Sequence, residues 1–292
     1  MLSFSLSNEK QDLIISKIKE KEELKGISNE VIKNELNKFL KQNPKIQKQL
    51  NESTTNKLLK SKALEVCKKE IRKVLRYYTG MFEINNKERK QLLHANKITE
   101  LLKTHLSTKE RYGYYDEIYN KIFKITKKPN SILDLGCGLN PLSLPEEFMK
   151  NIKYYAGDIN QDDLEIVNEY FRKNKFEGDV FFYDLKLQKL GVFGTSNKLA
   201  YCKNANDHLP KTDVCFLFKV LDLIDNKGHK NAEKVLKQIP AKFVIVSFSK
   251  ITLSGKKLNA SRNWLKLLIE RLRWKYYLFE TENEMFFVIN KS

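Results

Sequence analysis

Two kinds of hydrophobic spacing divide the chain. From residue 8 to residue 105, Leu, Ile, Val and Phe recur at intervals of three and four, the period of a helix with one buried face. Leu13, Ile14 and Ile18 form one such set, and Val31, Ile32, Leu36, Phe39 and Leu40 another. The pattern predicts helices over 8–25, 28–42, 55–78 and 86–105, punctuated by Gly26, Pro44 and Gly80. Ser7 and Ser28 stand where N-caps are expected, because a short hydroxyl side chain can accept from a free first-turn N–H. Residues 106–128 form an aromatic-rich bridge with Tyr112, Tyr114, Tyr115, Tyr119 and Phe123. Beyond it the spacing changes. Short apolar runs at 131–136, 153–159, 179–184, 213–220 and 242–249 read as buried strands, separated by helical stretches near 162–174, 229–239 and 261–273. Two further runs flank Glu282-Asn283-Glu284 within 275–290 and predict an antiparallel hairpin. Alternating strands and helices imply a mostly parallel sheet covered on both faces. The expected organisation is a helical domain, 1–105, followed by an α/β domain, 106–292.

Charge narrows the choice of partner. The 292 residues carry a formal +18. Residues 1–105 contribute +10 (23 Lys and Arg against 13 Asp and Glu) and residues 106–292 contribute +8 (31 against 23). An excess spread over both parts suits a polyanion lying across the molecule, since cations that neutralise phosphates release counterions. Lys68, Lys69, Arg72, Lys73 and Arg76 fall on neighbouring turns of one predicted helix and could follow a phosphate backbone; a solvated helix face is the plain alternative. No run approaches the roughly 20 apolar residues of a membrane span, and the first residues lack a basic stretch and a long apolar core. A cytoplasmic monomer without membrane contact is expected. The four cysteines, Cys67, Cys137, Cys202 and Cys215, form no CxxC and no Cys/His cluster, so reduced thiols and no bound metal are expected.

Candidate chemistry concentrates at strand ends. Ser131-Ile-Leu-Asp134-Leu-Gly136-Cys137-Gly138 is a buried strand with an acid that breaks into a glycine loop, and Asp158 ends the next apolar run twenty positions after Gly138. Glycines let a cofactor approach the backbone, and an acid at the adjacent strand tip suits two ribose hydroxyls. Asp134-x-Gly136-x-Gly138 followed by Asp158 resembles the first motif, and its acidic partner, of class I S-adenosylmethionine (SAM) methyltransferases. That resemblance implies a Rossmann-like, seven-stranded, mostly parallel sheet with an antiparallel C-terminal hairpin, and a cofactor site that includes Cys137 and Ile159. Asp184 after the third run could accept from an adenine amino group, with Leu185 on the ring; alternatively, Asp184 caps the next turn. Lys219 ends the fourth run, where an isolated buried charge needs a partner or a cavity. An (Asn/Asp)-Pro-Pro-(Tyr/Phe) turn is absent there, and no cysteine follows a proline. The open choices are therefore a ring nitrogen that needs no deprotonation, or a ribose hydroxyl activated by Lys219.

Several segments together resemble the Arm-type (FmrO) 16S ribosomal RNA methyltransferases. They are His105-Leu-Ser107-Thr108-Lys-Glu110-Arg111, Leu135-Gly-Cys-Gly-Leu-Asn140-Pro141-Leu142, Phe216-Leu-Phe-Lys219-Val-Leu221, Val246-Ser247-Phe248 through Ser254-Gly255-Lys256, and Asn263-Trp264. The likeness implies methylation of guanine N7 in the decoding centre of the small ribosomal subunit, with aminoglycoside resistance as its consequence. It also implies SAM as cofactor, with Arg111 at the methionine carboxylate and Ser107 among the cofactor-binding residues, and a helical N-terminal domain that docks on the subunit. Lys219, Lys250 and Lys256 would steady the target without a dedicated base, Lys257 would add an RNA contact, and Trp264 could stack on a base or sit in a helix core. After Lys256 the family's longer insertion is shortened here to Lys257-Leu-Asn-Ala-Ser-Arg-Asn-Trp264. A ribose 2′-O methyltransferase and a non-catalytic RNA-binding protein remain as rival readings.

Overall fold

The computed structural model describes residues 6–79, 86–187, 189–192, 200–201, 209–224, 228–251, 257–258 and 261–292. Two compact units divide the chain, Met1–Asn85 and Asn86–Ser292.

In the first unit, helices run over Asn8–Ile18, Asn29–Gln42, Pro44–Glu52, Thr55–Leu59 and Lys62–Thr79. Their periodic residues make the core: Ile14, Ile18, Leu24, Ile32, Leu36, Leu50, Leu58, Cys67 and Leu75 are fully buried. Ser7 and Ser28 cap as expected, accepting from the N–H of Lys10 and Val31. The expected 8–25 helix stops at Ile18, and 22–24 forms only a single tight turn. Pro44 interrupts one helix but starts another, because a proline fits the first helical position, where its missing N–H costs nothing. The helix it starts went unforeseen because it buries only Leu50. The expected 55–78 helix is broken at Ser61, whose hydroxyl caps the second half by accepting from Leu64 N–H at 3.1 Å.

Among the described residues of the second unit, nine strands form one sheet. They are β1 (Ser131–Leu135), β2 (Lys153–Asp158), β3 (Glu177–Asp184), β4 (Lys189–Val192), β5 (Ala200–Tyr201), β6 (Thr212–Phe218), β7 (Ala241–Ser249), β8 (Lys275–Glu280) and β9 (Glu284–Asn290). Their order is β5-β4-β3-β2-β1-β6-β7-β9-β8. The five strands from β3 to β7 are parallel, and β9 runs antiparallel between β7 and β8. These seven strands are the expected sheet. The two short strands β4 and β5 extend it antiparallel at the β3 edge. Helices 161–174, 230–238 and 263–271 lie close to their expected bounds. The chain leaves β1 in one direction towards β2 and β3, and later returns to β6 on its other side. The carboxyl ends of β1 and β6 therefore flank a switch point, the place where open α/β sheets bind ligands.

The boundary between units falls twenty residues before the 105/106 division expected from the helical periodicity. Helix Asn86–His94 belongs to the sheet unit and is tied to helix 161–174 by three ion pairs, Arg89–Asp163, Lys90–Glu165 and His94–Glu169. Helical spacing reports a buried face, but not which partner buries it.

Candidate cofactor and active site

The glycine loop after β1 is built by its neighbours. Gly136 (φ +71°) and Gly138 (φ +48°) adopt left-handed backbone that costs other residues energy. A Cβ at Gly136 would lie 2.4 Å from Val220 Cγ1, and one at Gly138 would lie 2.7 Å from His105 Nε2. The loop is pinned to β2: Gly136 N–H donates to Gly157 O at 2.8 Å, and Gly138 N–H donates to Asp158 Oδ2 at 2.8 Å. Asp158 Oδ1 accepts from Asn160 N–H at 2.9 Å. The predicted pair of loop and acid is thus in direct contact. Burial pushes the Asp158 carboxyl up, against the backbone N–H groups that favour its charged form. Ile159 is half-buried just beyond it.

Asp134 lies one layer deeper, 1% exposed. Its Oδ2 accepts from Asn140 Nδ2 (2.9 Å) and Tyr154 OH (2.7 Å), so it braces the turn after the loop against β2. Burial raises its pKa to about 6, opposed by those two hydrogen bonds. Cys137 is buried, and burial holds its thiol well above the ordinary range, which removes it as a nucleophile. At the end of β3, Asp184 accepts from the N–H groups of Lys186 and Leu187, and Leu185 packs in the core near Gly136.

The second half of the site is a buried ionic group that crosses the chain. Arg111 Nε donates to Glu284 Oε2 at 2.9 Å, both side chains nearly inaccessible. Arg111 Nη2 donates to Ser107 Oγ at 3.1 Å, and its guanidinium stacks over Phe218. Lys219 follows β6 rather than ending it, in left-handed backbone (φ +59°) unusual for a side chain of its size. Two bonds from its N–H hold it there, to Ser247 O (3.1 Å) and Ser247 Oγ (3.0 Å). Its ammonium donates to Glu110 and lies 3.4 Å from Glu284, so the partner that a buried lysine requires is present. Ser247 also donates to Glu284. Burial pushes the Glu284 carboxyl up, but Arg111 and Lys219 outweigh it and the net shift is downward. Withdrawal from water and the charges of Arg89, Arg111 and Lys219 hold His105 at about 3, a neutral ring beside Gly138.

Not every predicted residue meets this centre. Lys250 donates to Glu280 (2.6 Å) and to Thr281 O (3.0 Å), on the β8–β9 hairpin. Lys257 is exposed, and Lys256 lies outside the described residues. The predicted stripe divides: Lys69 and Lys73 are exposed, whereas Lys68 pairs with Glu65, Arg76 pairs with Glu23, and Arg72 donates to the carbonyls of Lys17 and Ile18. Trp264 is stacked on His229 at 4.0 Å and meets the edge of Phe248, the helix-core alternative of the two readings. Sequence reasoning assigned no role to Glu284, which reads as a polar turn residue but opens β9; nor to Glu110, Asn140, Tyr154 or Asn160. Among the described residues no group of three or more His, Cys, Asp or Glu is placed to hold a metal.

Comparison with known proteins agrees with this architecture. The family model described as ribosomal RNA methyltransferase (FmrO) matches residues 88–272. A 16S rRNA (guanine(1405)-N(7))-methyltransferase from Proteus mirabilis is 30% identical over 201 residues, 66% of this chain and 64% of that protein. One from Micromonospora echinospora is 26% identical over 194 residues, again 64% of its length. The chain therefore spans just under two thirds of the curated relatives it matches. Among solved structures, the fold is shared with the 16S rRNA methyltransferase RmtF in complex with S-adenosyl-L-homocysteine (TM-score 0.71, 18% identity, 98% of this chain and 99% of that one). It is also shared with the 16S rRNA methylase RmtB (TM-score 0.66, 19% identity, 97% and 98%).

Proposed function

The chain belongs to the ribosomal RNA methyltransferase (FmrO) family, and from that premise we propose that it methylates N7 of a decoding-centre guanine in 16S rRNA, using SAM. The observation that carries this reading is the Gly138–Asp158 bond at the switch point of the sheet. It fixes a loop that is glycine at 136 and 138 against a carboxylate that can accept further hydrogen bonds. A carboxylate has about four acceptor positions; backbone N–H groups of Gly138, Asn160 and Ile159 take up part of that capacity, and what remains would serve the ribose. The residues present therefore fit the cofactor. Asp184 and Leu185 border the adenine position, and Ser107 and Arg111 hold the methionine carboxylate. Glu284 and Glu110 supply the negative charge that the cofactor's ammonium needs.

When bound, SAM supplies a methyl group on a positively charged sulfur. Guanine N7 carries a lone pair and no proton, so the protein needs no general base, and its contribution is to position and to exclude water. This suits a site whose titratable groups are spent on one another: the Lys219 ammonium is directed at Glu110 and Glu284, which disfavours the ribose-hydroxyl reading. Its role becomes that of holding the ionic group together. A base inside folded RNA must be turned out of its stack to reach the methyl. The helical N-terminal part docks on the subunit, with Lys69, Lys73 and Lys257 supplying exposed cations. The partner is the small ribosomal subunit, met by a cytoplasmic monomer, and the modification confers aminoglycoside resistance.

The test is to incubate 30S subunits with the protein and SAM and to map the product. N7-methylguanine in the decoding centre, with raised aminoglycoside tolerance in an expressing strain, is the expected result. A 2′-O-methylated ribose, or an unmodified subunit, would overturn the proposal.

A further inference from the structure

We infer that Arg89 is a positioning residue for the cofactor, acting through Asp163 and Asn160 on the carboxylate of Asp158. The inference rests on the reading of Asp158 as the ribose ligand. The connection is a continuous chain of buried hydrogen bonds. Arg89, 3% exposed, donates from Nη1 to Asp163 Oδ1 at 2.7 Å, while its other nitrogens are anchored on Thr104 Oγ1 (2.9 Å) and Thr104 O (3.1 Å). Asp163, 1% exposed, accepts on its second oxygen from Asn160 Nδ2 at 3.0 Å. Asn160 caps helix 161–174 by accepting from Asp162 N–H, and its own N–H donates to Asp158 Oδ1 at 2.9 Å. Asp158 Oδ2 then holds Gly138 N–H.

Each link fixes the next. Asn160 can keep its amide plane only while Asp163 accepts from one end and the helix N-terminus donates to the other. Asp163 can remain a buried carboxylate only while a cation faces it, because an unpaired buried charge is costly and either takes a proton or moves towards water. Arg89 is that cation, and it comes from helix 86–94, outside the strand–loop–strand motif that defines the cofactor site. The other two pairs between these helices, Lys90–Glu165 and His94–Glu169, are more exposed, and no bond from them reaches Asp158. They offer an internal control: they share the task of joining two helices but not the path to the cofactor.

Titration calorimetry with SAM, steady-state methylation of 30S subunits, and hydrogen exchange at the Gly138 amide together test the inference. Arg89→Met is expected to weaken SAM binding about tenfold or more. The KM for SAM should rise in parallel, while kcat at saturating SAM and the KM for subunits stay unchanged, and Gly138 N–H loses protection. Lys90→Met should leave all five readouts at wild-type values. The double variant Arg89→Met/Asp163→Asn should recover SAM affinity to within about threefold of wild type, because the neutral amide oxygen still accepts from Asn160 and no unpaired charge is left. Should Arg89→Met fail to fold, the double variant decides alone: near wild-type affinity with a protected Gly138 amide supports the path, and weak binding overturns it. Unchanged SAM affinity in folded Arg89→Met, or an equal loss in Lys90→Met, would also overturn it. A wild-type protein that binds no SAM would instead sink the cofactor reading, while the Gly138 exchange data would still judge the hydrogen-bond chain.

Discussion

Asp134 shows how one side chain can fit its donors in geometry yet be costly in charge. Its two donors, Asn140 and Tyr154, both meet Oδ2, so an asparagine oxygen could serve them equally well. With its pKa raised from 3.8 to about 6, the folded protein holds this proton more tightly than the unfolded chain. Stability from this group is therefore full below about pH 4, falls as pH rises towards 6 and is flat above. Asp134→Asn is expected to gain about 1–3 kcal/mol at pH 7.5, a gain that shrinks towards pH 4; thermal melts at the two pH values check it. Asp158→Ala should cost about 1–3 kcal/mol of SAM affinity, roughly ten- to a hundredfold, in calorimetry. Asp158 was legible because a glycine loop and an acid at the next strand tip are both local signals. Glu284 was not. Its burial depends on Arg111, 173 positions away, and nothing beside it in sequence announces that contact. Glu284→Gln should cost about 3–5 kcal/mol by leaving Arg111 and Lys219 facing a neutral group, measured by denaturant unfolding.

At the scale of elements, the strands were readable because buried parallel strands are unbroken apolar runs, and every such run became one. Helix ends were less so: Ile18 and Ser61 end or divide periodic stretches where capping and turn chemistry, not hydrophobicity, decides. The helix Lys62–Thr79 separates two roles that the sequence merges. Lys69→Glu with Lys73→Glu should lower 30S affinity at least tenfold without moving the melting temperature, since both side chains are exposed and adding opposite charge repels phosphate. Arg72→Ala should do the reverse. It removes a clasp on the last carbonyls of helix Asn8–Ile18, so about 1–3 kcal/mol of stability is lost. Filter binding and thermal melts on the same variants separate the two.

For the whole molecule, +18 on 292 residues predicts subunit binding that weakens about a hundredfold or more between 50 and 200 mM salt; binding indifferent to salt would contradict the docking proposal. The composition made that charge legible, but not the order in which the parts come together. β9 is the last strand of the sheet to be made, yet it is inserted between β7 and β8 and brings Glu284 to Arg111 and Lys219. A growing chain folds in the order in which it emerges. Until β9 appears, β7 is an open edge and the buried Arg111 lacks its carboxylate partner. The buried ionic group is thus completed only with the strand that closes the sheet. The strand made last joins two otherwise separate tasks: the contact that closes the sheet between β7 and β8 is also the one that seats the shared anion of Arg111 and Lys219.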